Sequence, residues 1–165
     1  MDIHSEELAY WYFRLNGFLG NSSLIIHNGL GSSSLATDID YLGVRFMFRK
    51  ELYDPFSGLF LEDDNNSMLF KYYNEKAPKG NIYICFCEVK KGTPRFNPSR
   101  EKENTIRQLL LSLGCVCEGQ IPDVITQLLE QGFCIINGYY LTFVAIGNSN
   151  QSEDIRLEIP IISWD

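Results

Sequence analysis

Ile82-Tyr83-Ile84-Cys85-Phe86-Cys87-Glu88-Val89-Lys90 is the stretch on which the fold turns. An apolar run rich in β-branched and aromatic residues, with neither glycine nor proline inside it, ends abruptly in charge. Such a run reads as a strand covered on both faces, the kind found inside a sheet with helices above and below. Side chains alternate along a strand, so Glu88 and Lys90 project to one face and Val89 to the other. Charges set at the end of a buried strand are costly unless they are paired or hold an ion. This end is therefore the place to look for chemistry.

Upstream, Thr37 to Phe48 reads as a second strand through Ile39, Leu42, Val44, Phe46 and Phe48, and Asn21 to His27 as a shorter one. The Gly29-Leu30-Gly31-Ser32-Ser33-Ser34 loop joins them as a hairpin; no helix-opening lysine follows it, so it does not read as a phosphate cradle. Before them, Ser5 to Gly17 predicts a helix, with Ser5 as N-cap, Leu8, Tyr12 and Leu15 at helical spacing, and Gly17 as the stop. Between residues 49 and 80 the pattern breaks repeatedly, at Asp54-Pro55, Ser57-Gly58, the acidic tract from Glu62 to Asn66, and Ala77-Pro78-Lys79-Gly80. It reads as an insertion, a substrate-facing flap or a partner surface, with a short helix near Ser67 to Tyr73. Downstream come helices over about Arg100 to Leu113 and Pro122 to Gln131, strands near Phe133 to Ile136 and Tyr139 to Ile146, and an extended piece from Arg156 to Ser163.

The 165 residues, 45 % of them hydrophobic, suit one α/β domain over 1–165. Nothing approaches the run of about 18 apolar residues that a membrane span needs, and the start Met1-Asp2-Ile3-His4-Ser5-Glu6-Glu7 lacks the basic and apolar parts of a signal peptide. The expectation is a soluble, cytoplasmic protein without a membrane partner. Four of the five cysteines form Cys85-x-Cys87 and Cys115-x-Cys117, which leaves a four-thiolate zinc site open beside the simpler reading of buried free thiols. His4 and His27 are assigned no role. The net charge of -7 resists nucleic-acid binding, which depends on neutralising phosphates. Against it stands one basic stretch, Lys90, Lys91, Arg95, Arg100, Lys102 and Arg107, diluted by Glu101 and Glu103.

Two carboxylates that fix a divalent cation, beside a lysine that faces phosphate oxygens, are sufficient for phosphodiester hydrolysis. Glu88 and Lys90 supply one acid and the lysine, in the only Glu-x-Lys or Asp-x-Lys of the chain. The other acid has to come from an adjacent strand. Asp40, followed by Tyr41-Leu42-Gly43-Val44, is a charge set among residues that read as buried.

The order helix, strand, strand with Asp, strand ending Glu-x-Lys, helix, strand resembles the PD-(D/E)xK, or restriction-endonuclease-like, nuclease superfamily. Thr37-Asp38-Ile39-Asp40-Tyr41-Leu42-Gly43-Val44 and Phe86-Cys87-Glu88-Val89-Lys90-Lys91-Gly92 are similar to the paired motif strands of small bacterial predicted endonucleases and archaeal Holliday-junction resolvases. In helix one, Glu6, Ala9 and Gly17 fall where that group places an acid, an alanine and a helix-ending glycine. The resemblance covers Glu6 to about Leu113 and selects Asp40 over Asp38 and Glu6 over Glu7. It implies an α/β fold of order α-β-β-β-α-β, a mixed sheet flanked by helices, with the insertion between the second and third strands. It also implies that Asp40, Glu88, the Val89 carbonyl and Glu6 hold Mg²⁺ or Mn²⁺, that Lys90 orients water and stabilises charge, and that Gln108 matches a polar helix position loosely. Lys91, Arg95, Arg100, Lys102 and Arg107 would then meet nucleic acid, DNA before RNA, with a homodimer or partner subunit supplying further affinity. The competing expectations are an inactive module that keeps the fold for binding or assembly, and a contact surface built from Tyr10, Trp11, Tyr12 and Phe13.

Overall fold

A computed structural model describes residues 5–27, 35–46, 51–54, 59–61, 80–94, 103–148 and 159–163. Helix α1 spans Ser5–Leu15 and buries Ala9 and Phe13, one turn apart. Its end is a glycine stop: Gly17 takes φ 85°, its N–H reaches Arg14 O at 3.1 Å, and the Phe18 N–H reaches back to Phe13 O at 2.9 Å. The Phe13 and Phe18 rings close the same turn edge-to-face, 5.4 Å apart. Carbonyls that would have lost their helical partners are thus satisfied by a left-handed residue that glycine adopts without strain.

Strands β1 (Leu19–His27) and β2 (Leu35–Arg45) pair antiparallel, as the hairpin reading expects. β3 (Glu51–Asp54) and β4 (Leu59–Leu61) form a separate two-stranded ribbon within residues 49–80, where the sequence showed only breakers. Asp54 is the last residue of β3, and Pro55, Ser57 and Gly58 lie outside the described residues. The expected helix near Ser67 to Tyr73 lies outside the described residues. β5 is Ile82–Val89. Helices α2 (Glu103–Leu113) and α3 (Ile121–Gln131) follow, the latter preceded by a single 3₁₀ turn and carrying Pro122 in its first turn. Proline there forfeits no helical hydrogen bond. The chain then forms β6 (Phe133–Ile136), β7 (Tyr139–Gly147) and β8 (Ile161–Ser163).

The six strands of the main sheet run in the order β1-β2-β5-β7-β6, with β8 alongside the far end of β7. β5, β7 and β8 are mutually parallel, while β2 against β5 and β6 against β7 are antiparallel. The sheet is mixed, open and flanked by helices. On one face, Tyr41, Tyr83, Cys85, Cys87, Val144 and Ile146 pack with Ala9, Phe13 and Phe18. On the other, Ile84, Phe86, Leu141, Phe143 and Ala145 pack against Ile106, Leu109 and Leu110 of α2 and Ile121, Val124, Ile125 and Leu128 of α3. β5 has a core on both sides, which is why its sequence does not alternate. Each fully buried Phe or Leu here contributes about 1.5–3 kcal/mol relative to exposure.

Candidate active site

β2 and β5 part company at one point. Their register runs from Arg45↔Tyr83 to Tyr41↔Cys87 and stops. Beyond it β2 continues along β1, and β5 continues along β7 as far as Val89↔Ile146. Asp40 stands in the fork. The Val89 N–H, which would have continued the ladder to β2, instead donates to Asp40 Oδ2 at 2.6 Å. A charged acceptor makes this a stronger bond than a backbone pair, and it draws the half-buried Asp40 carboxylate against the segment Glu88-Val89-Lys90.

Alternation sets Glu88 and Lys90 on the face of α2 and α3, because Phe86 belongs to that core and Cys87 to the opposite one. Glu88 keeps 12 % of its side-chain surface and Lys90 39 %, and Lys90 Nζ lies 3.7 Å from Glu88 Oε2. That separation is an ion pair without a tight hydrogen bond. Burial raises the Cys87 thiol well above its ordinary range; Cys85 and the Asp40 carboxylate raise it further, and only the Lys90 charge opposes them. Both charges therefore act on the same buried thiol at the end of β5.

The chain that follows is clamped. Lys90 N–H donates to Ile146 O at 2.8 Å, and Asn148 N–H to Gly92 O at 2.9 Å. Between these bonds Gly147 lets Gly92 and Pro94 cross β7 at close range: a Cβ at 147 would stand 2.7 Å from Pro94 N and closer still to Gly92 O. The position of Lys90 thus depends on a glycine far away in sequence. A glycine closing an apolar strand was the available signal.

Glu6 is not brought to this trio. Its helix packs on the Tyr41 face, while Glu88 and Lys90 occupy the other. Glu6 is exposed and lines an open cleft of about 370 Å³ with Glu7, Tyr10 and Ser22. Among the described residues, no three His, Cys, Asp or Glu side chains form a group able to hold a metal ion. Gln108 and Arg107 are half-buried on α2, and Lys91 is exposed just past β5. Arg95, Arg100 and Lys102 lie outside the described residues. Cys85, Cys87, Cys115 and Cys134 are buried free thiols and Cys117 is exposed. Cys85 and Cys87 sit in one core and Cys115 in the other, on opposite sides of the sheet, so the two pairs share no tetrahedral site. Of the aromatic residues at the start of the chain, Phe13 is buried, Tyr10 and Tyr12 are partly so, and Trp11 is 52 % exposed, so these do not form one contact surface.

No helix among the described residues is long and apolar enough to cross a membrane. No protein-family model, curated protein or solved structure matches the chain.

Proposed function

We propose that this chain is a nuclease dependent on Mg²⁺ or Mn²⁺, of the restriction-endonuclease-like type, acting on DNA by preference. One observation carries the reading: the 2.6 Å bond from Val89 N–H to Asp40 Oδ2 sets an acid of one strand beside the acid-x-lysine end of the next. The donor set fits a hard cation. Asp40 keeps a second carboxylate oxygen, Glu88 adds its carboxylate, and the Val89 carbonyl is adjacent; Mg²⁺ takes oxygen ligands of this kind while keeping several waters. Such an ion supplies Lewis-acid polarisation of phosphate and a more acidic bound water.

The chain's own residues divide the remaining work. Asp40 and Glu88 hold the ion, and the Val89 N–H fixes the Asp40 carboxylate so that little ordering is left for binding. Lys90, over a third exposed and tethered through its backbone to β7, presents its ammonium to a phosphate oxygen as charge develops. Lys91 extends the positive edge outward. With a net charge of -7 these few cations give modest affinity, so a homodimer or a partner subunit completes the grip on nucleic acid.

A second reading has its own support. Lys90 already pairs with Glu88, and the third acid is absent from the group; both features suit a nuclease-like module retained for binding or assembly. Calorimetric titration with Mn²⁺ separates the two. Saturable binding that Glu88→Gln abolishes supports the enzyme, whereas no binding to a folded wild type favours the module.

A further inference from the structure

The cleft beside Glu6 borders the outer edge of the sheet, and hydrogen-bond parity fixes which backbone groups face out. On β5 the Ile82 and Lys90 amides bond to β7, through Gly138 O and Ile146 O, so the odd-numbered residues serve β2. Tyr41, Gly43 and Arg45 face those positions. Leu42 and Val44 are left to pair with β1 through Asn21 and Leu19. The N–H and C=O groups of Gly20 and Ser22 therefore point away from the sheet. Leu19, Gly20, Asn21 and Ser22 are all exposed, and among the described residues no strand pairs with this edge. Edge strands are ordinarily blunted by lysine, proline or inward charge. Leu19–His27 carries none of these.

Beside this edge runs α1, and the cleft between them is lined by Glu6, Glu7 and Tyr10 from the helix and Ser22 from the strand. Trp11 stands next to it, 52 % exposed, its ring 5.5 Å from that of Tyr10. A groove between a helix and a free strand edge recognises extended peptides: backbone pairing supplies affinity and alternate side chains supply choice. We propose that this edge takes an extended basic peptide segment as an added strand, its main chain pairing with Gly20 and Ser22 and its lysine or arginine side chains meeting Glu6 and Glu7. Charge selects this occupant over a second copy of the chain. Two copies would bring acid pairs together on molecules of net charge -7, whereas a cationic segment is attracted by both the cleft and the whole molecule. The site lies on the face opposite Glu88 and Lys90 and does not depend on the nuclease reading.

The test is an amide-resolved NMR titration of the full ¹⁵N-labelled chain with a twelve-residue peptide alternating lysine and threonine, against its glutamate–threonine counterpart. The expected result is saturable binding of the basic peptide alone, with Gly20 and Ser22 amide exchange slowed at least about tenfold. Replacing both acids, Glu6→Gln with Glu7→Gln, weakens it about threefold or more. Ser22→Pro abolishes it, since proline is tolerated where the N–H faces solvent but cannot pair with an added strand. If that variant fails to fold, the Glu6 and Glu7 replacements carry the comparison. The proposal is overturned if those two amides respond to neither peptide or to both alike. It is overturned equally if their protection rises with protein concentration without peptide, which would mean a second copy occupies the edge, or if the shifts are confined to Asp40, Glu88 and Lys90.

Discussion

Asp40 completes with its side chain a ladder that the backbone of β2 abandons, accepting the Val89 N–H at 2.6 Å. Removing that acceptor has a structural cost apart from any chemistry. Asp40→Ala leaves a partly buried N–H without its partner and should lower stability by about 1–3 kcal/mol. Asp40→Asn retains an acceptor and should stay close to wild type in urea unfolding, while losing affinity for Mn²⁺. Equal stability of the two variants would contradict the assigned role of the bond.

Tyr41 lies flat beneath Phe13, ring centroids 4.5 Å apart and planes 6° apart, over a paired Gly20 and Gly43. A Cβ at Gly43 would stand 2.7 Å from Tyr41 Cε1 and 2.8 Å from Cys85 Sγ, both in the core. One at Gly20 would press on the Leu42 carbonyl, which cannot swing aside. Each Gly→Ala change should therefore destabilise by about 1–3 kcal/mol, with Gly20 the worse. Thermal unfolding monitored by tyrosine and tryptophan fluorescence reads the effect, and an unchanged midpoint for both would show that the ring packs differently.

Gly147→Ala should free the segment after β5, because a methyl group displaces Gly92 and Pro94. Hydrogen exchange at the Lys90 and Asn148 amides should accelerate at least about tenfold, which corresponds to about 1.4 kcal/mol of lost protection. Cleavage should fall with it while Mn²⁺ still binds Asp40 and Glu88. Exchange at wild-type rates would mean that the clamp does not set the lysine.

The thiols give a pH dependence of known sign. Burial pushes Cys134 up from 9.0 to about 11, and it likewise raises Cys115, Cys85 and Cys87. The folded chain holds these protons where the unfolded chain has begun to lose them. The stabilisation is present in full below pH 9 and declines as pH rises through 9 towards 11. Urea midpoints should fall steadily across that window. At pH 8 a thiol reagent should modify one cysteine rapidly, Cys117, and the four buried ones only on unfolding. Fast reaction of two or more would contradict the two-sided core.

Much of this is legible in the sequence. The run from Ile82 to Cys87 announced a strand covered on both faces, and Gly17 and Gly114 announced helix ends, both with positive φ. The β3–β4 ribbon was hidden because a four-residue strand and a three-residue strand leave too few positions for periodicity to register. Glu6 exposes a different limit. Spacing along a helix shows which residues share its inner face but not which side of a sheet that helix covers, since this is decided by contacts distant in sequence. For the same reason Asp40 could be chosen as a buried strand acid, whereas its bond to Val89 depends on where two strands diverge.

Nuclease action is tested most directly by incubating single-stranded, duplex and branched DNA, and RNA, with the purified chain in Mg²⁺ or Mn²⁺, beside Lys90→Ala. Cleavage that requires the metal and falls by about 10²-fold or more in the folded Lys90→Ala protein is the predicted result. Intact substrates throughout, from a folded wild type that also binds neither ion, would contradict it.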